Sequence, residues 1–409
     1  MSFWTKSIFS KNFINLSLNQ GVNIFATLIY TPLLFQRLGD ANFGLINLAF
    51  SIIIILSIIV SYGYNLNGPI QITESNNFEA QNIIITDILS LRIFNALTIF
   101  IICLPLIIFF GEANFNRILI FSFIILLNEA LNPLFYLQGK NKIFPHAIIN
   151  LFSKSLSLIL VYFFIKGIDD AYLANFFYGL SASICVLIFW FSYFIRNGFS
   201  NLRVSLKKIK FRLKENFTLF LSSTSTHISL NSSLIILSFF TTNTELGRFT
   251  LSYKIAFIIR MIPVFFIQSA LQNAAKLSKQ STLDFNNYVS KYFYNGLMIT
   301  FSFGIFLITF SETIIEVFAD EKIKYSAEIL CILSLIPFLA MLNFKNIIYI
   351  LVYDHKNLLN RATFICLVFM LISSFILTYY YSGYGLSIAL IMTEIFSFII
   401  HSILLKNVK

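Results

Sequence analysis

The run Ile83-Ile-Ile-Thr-Asp87-Ile-Leu-Ser-Leu-Arg92-Ile-Phe-Asn-Ala-Leu-Thr-Ile-Phe-Ile-Ile-Cys103-Leu-Pro105-Leu-Ile-Ile-Phe-Phe110 decides the fold class. It is 28 residues long and almost uniformly apolar. A bilayer core of about 30 Å takes about 20 residues of helix. A barrel strand would need about ten residues with strict alternation, which this run lacks. The segment therefore reads as a membrane-spanning helix, and it carries Asp87 and Arg92 with it.

Eleven further runs resemble it, giving spans at about 13–36, 43–64, 83–110, 117–137, 144–165, 171–195, 216–240, 248–270, 292–311, 327–352, 362–381 and 384–405. Composition agrees: 57% of the 409 residues are hydrophobic, 11% are charged, and mean hydropathy is +0.81. A soluble domain carries about 25% charge, so soluble enzymes, nucleic-acid modules and disordered chains are excluded. The expectation is an all-α polytopic membrane protein of about twelve helices.

The net charge of +11 follows from loop bias, not from nucleic-acid binding. With the N-terminus inside, the inner loops hold 18 Lys and Arg, seven of them in the cluster 196–215. The outer loops hold six: Arg37, Arg117, Lys166, Arg248, Lys322 and Lys324. The positive-inside rule then predicts cytoplasmic termini, with loop 312–328 outside. No cleavable signal peptide is expected. Cys103, Cys185, Cys331 and Cys366 lie in apolar runs and read as small core residues.

The basic cluster divides the chain into halves, 1–203 and 204–409, of six spans each. Landmarks recur in order: Asn12-Phe13 with Asn216-Phe217, Leu38-Gly39 and Phe43-Gly44 with Leu246-Gly247 and Phe249, and Gln138-Gly139-Lys140-Asn141 with Asp354-His355-Lys356-Asn357. An even number of spans per half predicts a parallel pseudo-twofold repeat.

Charges within spans are expensive and mark wet cavities or partners. Five cations remain there, Arg92, Lys154, Lys254, Arg260 and Lys345, with three acids, Asp87, Glu129 and Glu394. Lys254 and Asp87 lie near span ends, where snorkelling explains them. In span five His146, Asn150, Ser153, Lys154 and Ser157 share one helical face. In span one Asn12, Asn15, Asn19, Asn23 and Thr27 do the same, and span seven is rich in Ser between Ser222 and Ser233. Such stripes either line a cavity or hold helices together. No Walker, HExxH or GxSxG motif is present, and the short outer loops disfavour a polymerase. A carrier without cofactor or metal is expected. For proton coupling the candidates are Glu129, Glu394 and His227, because burial moves carboxyls toward neutrality and His titrates there.

Arg37-Leu-Gly39 with Phe43-Gly44, Tyr62-Gly63-Tyr64, and Asn132-Pro133-Leu-Phe-Tyr136-Leu-Gln138-Gly139 resemble the Wzx-type O-antigen flippases of the multidrug/oligosaccharidyl-lipid/polysaccharide exporter superfamily. Two departures are Phe135, where that family often has Trp nearby, and the absence of a basic residue near Gly68-Pro69-Ile70-Gln71. The resemblance implies a MATE-like pair of six-helix bundles in a bacterial inner membrane. These would rock to move undecaprenyl-pyrophosphate-linked oligosaccharide to the periplasmic leaflet, beside other polysaccharide-assembly proteins. Arg92, Lys154, Arg260 and Lys345 become candidate pyrophosphate cations, and Asn19, Asn23, Asn150, Ser153 and Ser225 candidate sugar contacts. The alternatives are a drug/cation antiporter of the same fold, which five in-span cations against three acids disfavour, and a membrane polymerase or glycosyltransferase.

Overall fold

The computed structural model describes residues 3–75, 77–110, 112–198 and 206–406. Side chains are described from residue 20 onward, except at 110, 206–210, 222, 226 and 356. Among the described residues there is no strand. The chain is a series of helices: α1 (Phe3–Ser61), α2 (Tyr64–Glu74), α3 (Phe78–Phe110), α4 (Ala113–Ser122), α5 (Ile124–Leu131), α6 (Leu134–Gly139), α7 (Phe144–Phe164) and α8 (Ala171–Asn197). Then come α9 (Leu206–Ser238), α10 (Asn243–Leu277), α11 (Thr282–Thr309), α12 (Ser311–Ala319), α13 (Lys324–Leu333), α14 (Ile336–Leu342), α15 (Phe344–Val352) and α16 (Lys356–Lys406).

Nine segments among the described residues are long and apolar enough to cross a membrane. Two of them have room for two crossings. Helix α1 runs 59 residues and α16 runs 51, about 90 and 75 Å at 1.5 Å per residue. Each is bent by non-helical backbone between two expected spans, at Gly39 (φ 72°, ψ 168°) and at Ser382 (φ 50°, ψ −132°). Glycine takes a positive φ at little cost, whereas serine there is strained.

Two compact units emerge. The first comprises Met1–Tyr30 and Leu45–His227, the second Thr31–Gly44 and Ile228–Lys409. This division differs from a cut at 203/204. Residues 206–227 pack with the first unit, through Arg212 on Asp87 (3.2 Å), Asn67 on Asn216 (2.7 Å) and Tyr62 stacked on Phe220 (4.5 Å). Asp87 is therefore paired by the basic cluster as well as lying near a span end. Residues 31–44 pack with the second unit, through Arg248 on Asp40 (2.6 Å) and Lys254 over the Phe43 ring (5.4 Å).

In the first unit Tyr64, Ile85, Ile88, Leu131, Phe135 and Trp190 form a buried core. The counterpart in the second unit gathers Ala270, Phe285, Met341, Phe344 and Ile348. Large apolar side chains elsewhere are exposed, as Ile101, Ile102, Leu106 and Phe109 are on α3, which suits a lipid-facing surface.

The fourth span of each half is broken twice, at matched places. Span four breaks at Phe123 and at Asn132-Pro133, and span ten at Ser334-Leu335 and Asn343. Both end alike. Asn141 (φ 54°) and Asp354 (φ 57°) take left-handed backbone, and the next amide donates five residues back, Lys142 N to Leu137 O and His355 N to Ile350 O. The repeat thus equates Asn141 with Asp354, three residues away from the alignment of Gln138–Asn141 on Asp354–Asn357. Local backbone geometry overrides the coincidence of Lys-Asn in both stretches.

The repeated Leu-Gly landmarks meet in the second unit. A Cβ on Gly247 would lie 1.8 Å from the Asp40 carbonyl oxygen, and one on Gly44 would lie 2.7 Å from the Asn243 carbonyl oxygen. Both obstacles are backbone, so neither can rotate away. Gly247→Ala is expected to destabilise by about 1–3 kcal/mol, read as a lower thermal midpoint in detergent. Gly167→Ala, with nothing within 4 Å of its Cβ, should leave the midpoint in place. Equal midpoints for the two variants would contradict this packing.

Candidate substrate and coupling sites

The break at Asn132-Pro133 explains the first charged cluster. Proline disfavours helix in the residue before it, and Asn132 accordingly leaves it at ψ 117°. The carbonyls around the break lose their helical donors and need others. Trp190 Nε1 donates to Leu131 O at 2.6 Å, and Arg92 Nη1 to Asn132 O at 3.4 Å. Arg92 also donates through Nη2 to Asn65 Oδ1 (2.8 Å), and Asn65 Nδ2 donates to Glu129 Oε1 (3.1 Å). The guanidinium lies 5.0 Å from the Phe135 ring centre. Arg92 is fully buried. Here it holds a broken helix and compensates Glu129 through one amide, and it is enclosed rather than open to a ligand.

The polar stripes of spans one and five meet each other within the first unit. Asn150 Nδ2 donates to Asn23 Oδ1 at 3.0 Å, and the Tyr30 hydroxyl donates to Ser157 Oγ. Ser153 is buried and Asn23 half-buried. Asn19 is helical, and its side chain lies outside the described residues. Between the two bonded rungs sits Lys154, itself buried, with Nζ 3.5 Å from the centre of the Tyr178 ring on α8. Among the described residues no carboxylate pairs with it. Tyr178 is a partner that periodicity in span five could not name.

On α9, Ser225 is half-buried and turns its hydroxyl to Leu221 O (3.3 Å), while His227 is exposed. In the second unit Arg260 grips Glu394, with Nε at 2.8 Å and Nη2 at 2.5 Å from Oε1. Lys345 Nζ donates to Ser290 Oγ at 3.2 Å and lies 4.6 Å from the Phe293 ring centre. The candidate cations thus fall in both units, Arg92 and Lys154 in the first, Arg260 and Lys345 in the second.

A further polar cluster lies outside the residues singled out from the sequence. Asn343, at the second break of span ten, approaches Ser397 Oγ (3.0 Å) and His401 Nδ1 (3.2 Å), and Asn346 donates to Ser402 Oγ (2.9 Å). The spacing of Glu394, Ser397 and His401 on one helical face was the available signal. Among the described residues no three His, Cys, Asp or Glu converge as metal ligands would.

The chain is a helical, multi-pass membrane protein with charges held inside its spans. Residues 9–272 match the family described as "Polysaccharide biosynthesis protein", and the chain belongs to that family. It is 23% identical over 396 residues to a protein of Escherichia coli (strain K12) described as an O-antigen transporter, covering 94% of this chain and 93% of that one. It is 25% identical over 409 residues to a protein of Shigella dysenteriae described likewise, covering 98% and 100%. In fold it resembles a MATE-family multidrug transporter in an inward-facing conformation (TM-score 0.73, 16% identity, 97% and 99% covered). It also resembles the lipid II flippase MurJ in an inward closed conformation (TM-score 0.74, 15% identity, 97% and 87% covered).

Arg92 carries the prediction here. Truncation to Ala would leave Glu129 and the Asn132 carbonyl without their buried cation. Losing one partner of a buried charged pair costs about 3–5 kcal/mol. Arg92→Ala should therefore lower the amount of protein in the membrane and its thermal midpoint, and Arg92→Lys should recover part of both. Wild-type abundance and midpoint in Arg92→Ala would remove the structural role.

Proposed function

We propose that this chain moves a lipid-linked oligosaccharide, its sugars joined through pyrophosphate to undecaprenol, from the cytoplasmic to the periplasmic leaflet of a bacterial inner membrane. Lys154 is the observation that carries this reading. A cation near mid-span is costly unless something anionic meets it. An aromatic ring face contributes about 2 kcal/mol or more to a desolvated cation, a partial compensation that an arriving phosphate can replace. The amide and hydroxyl groups of Asn23, Asn150 and Ser153 on the same face suit sugar hydroxyls. Arg260 and Lys345 are the further pyrophosphate cations, Asn19 and Ser225 the further sugar contacts, and Glu129, Glu394 and His227 the groups for ion coupling. A cation antiporter would need unpaired acid within its spans, and Glu129 accepts from Asn65 and Glu394 from Arg260.

Transport requires the two sequence halves, 1–203 and 204–409, to change their relation. Each lends a segment to the other's compact unit: 31–44 at the end expected outside, and 206–227 at the end expected inside.

In a host whose surface glycan depends on this protein, Lys154→Ala should abolish the glycan while leaving membrane protein at normal levels. Lys154→Arg, which keeps the charge, should retain some. A normal glycan in Lys154→Ala overturns the assignment. Orientation is tested separately. A cysteine at Ser281 should resist an impermeant thiol reagent in intact cells, and one at Lys322 should label. The reverse pattern would invert the direction of transport.

A further inference from the structure

We infer that the first unit holds a site for one anionic glycerophospholipid, with its phosphate at Arg117 and an acyl chain in an apolar groove between α3, α4, α5 and α8. The groove encloses about 380 Å³, and its eleven lining residues are all apolar. Ile93, Leu97 and Phe100 line it from α3, and Ile120, Ile124 and Leu127 from α4 and α5. It passes the first break of span four. There Phe123, 7% exposed, meets Phe100 edge-on at 5.3 Å and forms part of the floor. Leu97 and Leu127 are exposed at its mouth, and Leu97 continues the exposed face of α3 that carries Ile101 and Ile108. The groove therefore opens on the side that suits lipid.

An aromatic column leads from the groove to a cation. Phe176 meets Phe121 (5.5 Å), and Phe121 meets Tyr172 (4.8 Å). The Arg117 guanidinium lies 3.6 Å from the centre of the Tyr172 ring. Arg117 is exposed, and among the described residues no carboxylate pairs with it. Stacking uses the face of the guanidinium and leaves the N–H groups in its plane to donate. A planar fork of donors matches phosphate oxygens. The ring thus holds the cation at one place beside the groove, with its donors unspent.

The length selects the occupant. From Arg117 to Leu127 is ten residues, about 15 Å of helix. Half of a 30 Å hydrocarbon core is also about 15 Å. A phosphate at Arg117 therefore sets the end of an ordinary acyl chain near Leu127. Beyond Leu127 the next turn brings Glu129 and Asn132, which are bonded to Asn65 and Arg92. A chain of leaflet length ends before that polar cluster, whereas a far longer polyprenyl chain would run out of apolar lining. A flat apolar face holds lipid without preference. Cation, column and groove in one line select for charge and retain one chain. In the orientation expected from the basic loops, the lipid belongs to the outer leaflet.

Native mass spectrometry of the full-length protein in detergent tests the site, with phosphatidylglycerol and phosphatidylcholine of identical chains. One lipid should stay bound, and phosphatidylglycerol should be preferred by about fivefold, as one cation near an anionic headgroup gives. Arg117→Gln should erase that preference. Leu97→Trp, which fills the groove, should lower retention of both lipids, and Ile372→Trp on the exposed face of α16 should change neither. A variant-free arm uses phosphatidylglycerol with a photoreactive diazirine in its chain, in nanodiscs of the wild type. Labelling should concentrate in residues 93–100 and 120–127. Equal retention of the two lipids, or a preference that survives Arg117→Gln, overturns the headgroup position. Labelling of these stretches no stronger than that of α16 overturns the groove. Displacement of phosphatidylglycerol by undecaprenyl phosphate at lower concentration would make the occupant a polyprenyl lipid and overturn the assignment.

Discussion

A carbonyl oxygen without a donor cannot be left in hydrocarbon, and the break at Asn132-Pro133 creates such carbonyls within span four. Much of the first unit is arranged around satisfying them. Trp190 reaches across from α8 to Leu131, and Arg92 from α3 to Asn132. Once a guanidinium is drawn into the interior it needs an anion, and Glu129 supplies it through Asn65. The apolar core of Tyr64, Phe135, Trp190 and their neighbours closes over this cluster. A single proline thus commits an arginine, a glutamate, an asparagine and a tryptophan on four different helices.

The second unit meets the same problem with different residues. Its fourth span also breaks twice, yet at Asn343 the side-chain amide turns to Ser397 and His401 in place of an arginine on a carbonyl. The arginine of that unit, Arg260, is bound instead to Glu394 on α16. Equivalent backbone breaks thus carry unlike chemistry, an arginine on the Asn132 carbonyl in one unit and a side-chain amide among Ser397 and His401 in the other.

The sequence made the helices legible because twenty apolar residues in a row admit one reading in a membrane. It also exposed the polar stripes, since one face of a helix follows from spacing alone. It did not reveal that the stripes of spans one and five face each other, with Asn23 on Asn150 and Tyr30 on Ser157. Periodicity gives a direction on a helix and says nothing of the neighbour in that direction. The helix breaks were half legible: Pro133 and Pro337 mark two of them and Asn343 is itself a weak turn signal, while Phe123 carries no turn residue that would announce one. The cut at 203/204 followed from the basic cluster, yet residues 31–44 and 206–227 find their packing partners in the other half, which no property of those segments alone displays.

The in-span cations sort by residue type. Arg92 and Arg260 are compensated by Glu129 and Glu394 through specific hydrogen bonds. Lys154, Lys254 and Lys345 instead lie against aromatic rings, those of Tyr178, Phe43 and Phe293. Arginine offers a rigid planar fork that fixes geometry, whereas lysine is a compact point charge on a flexible stem. A buried arginine–carboxylate contact resists loss of either partner, because the other is then stranded. A lysine over a ring face loses only the modest ring attraction when an anion approaches, and it can swing toward that anion. The arginines therefore suit the frame, and under the transport reading we propose the lysines suit a site that binds a phosphate and then lets it go. Of the three, Lys154 sits deepest in its span and among amide and hydroxyl groups, so the transport reading we propose sets the charged headgroup along its face.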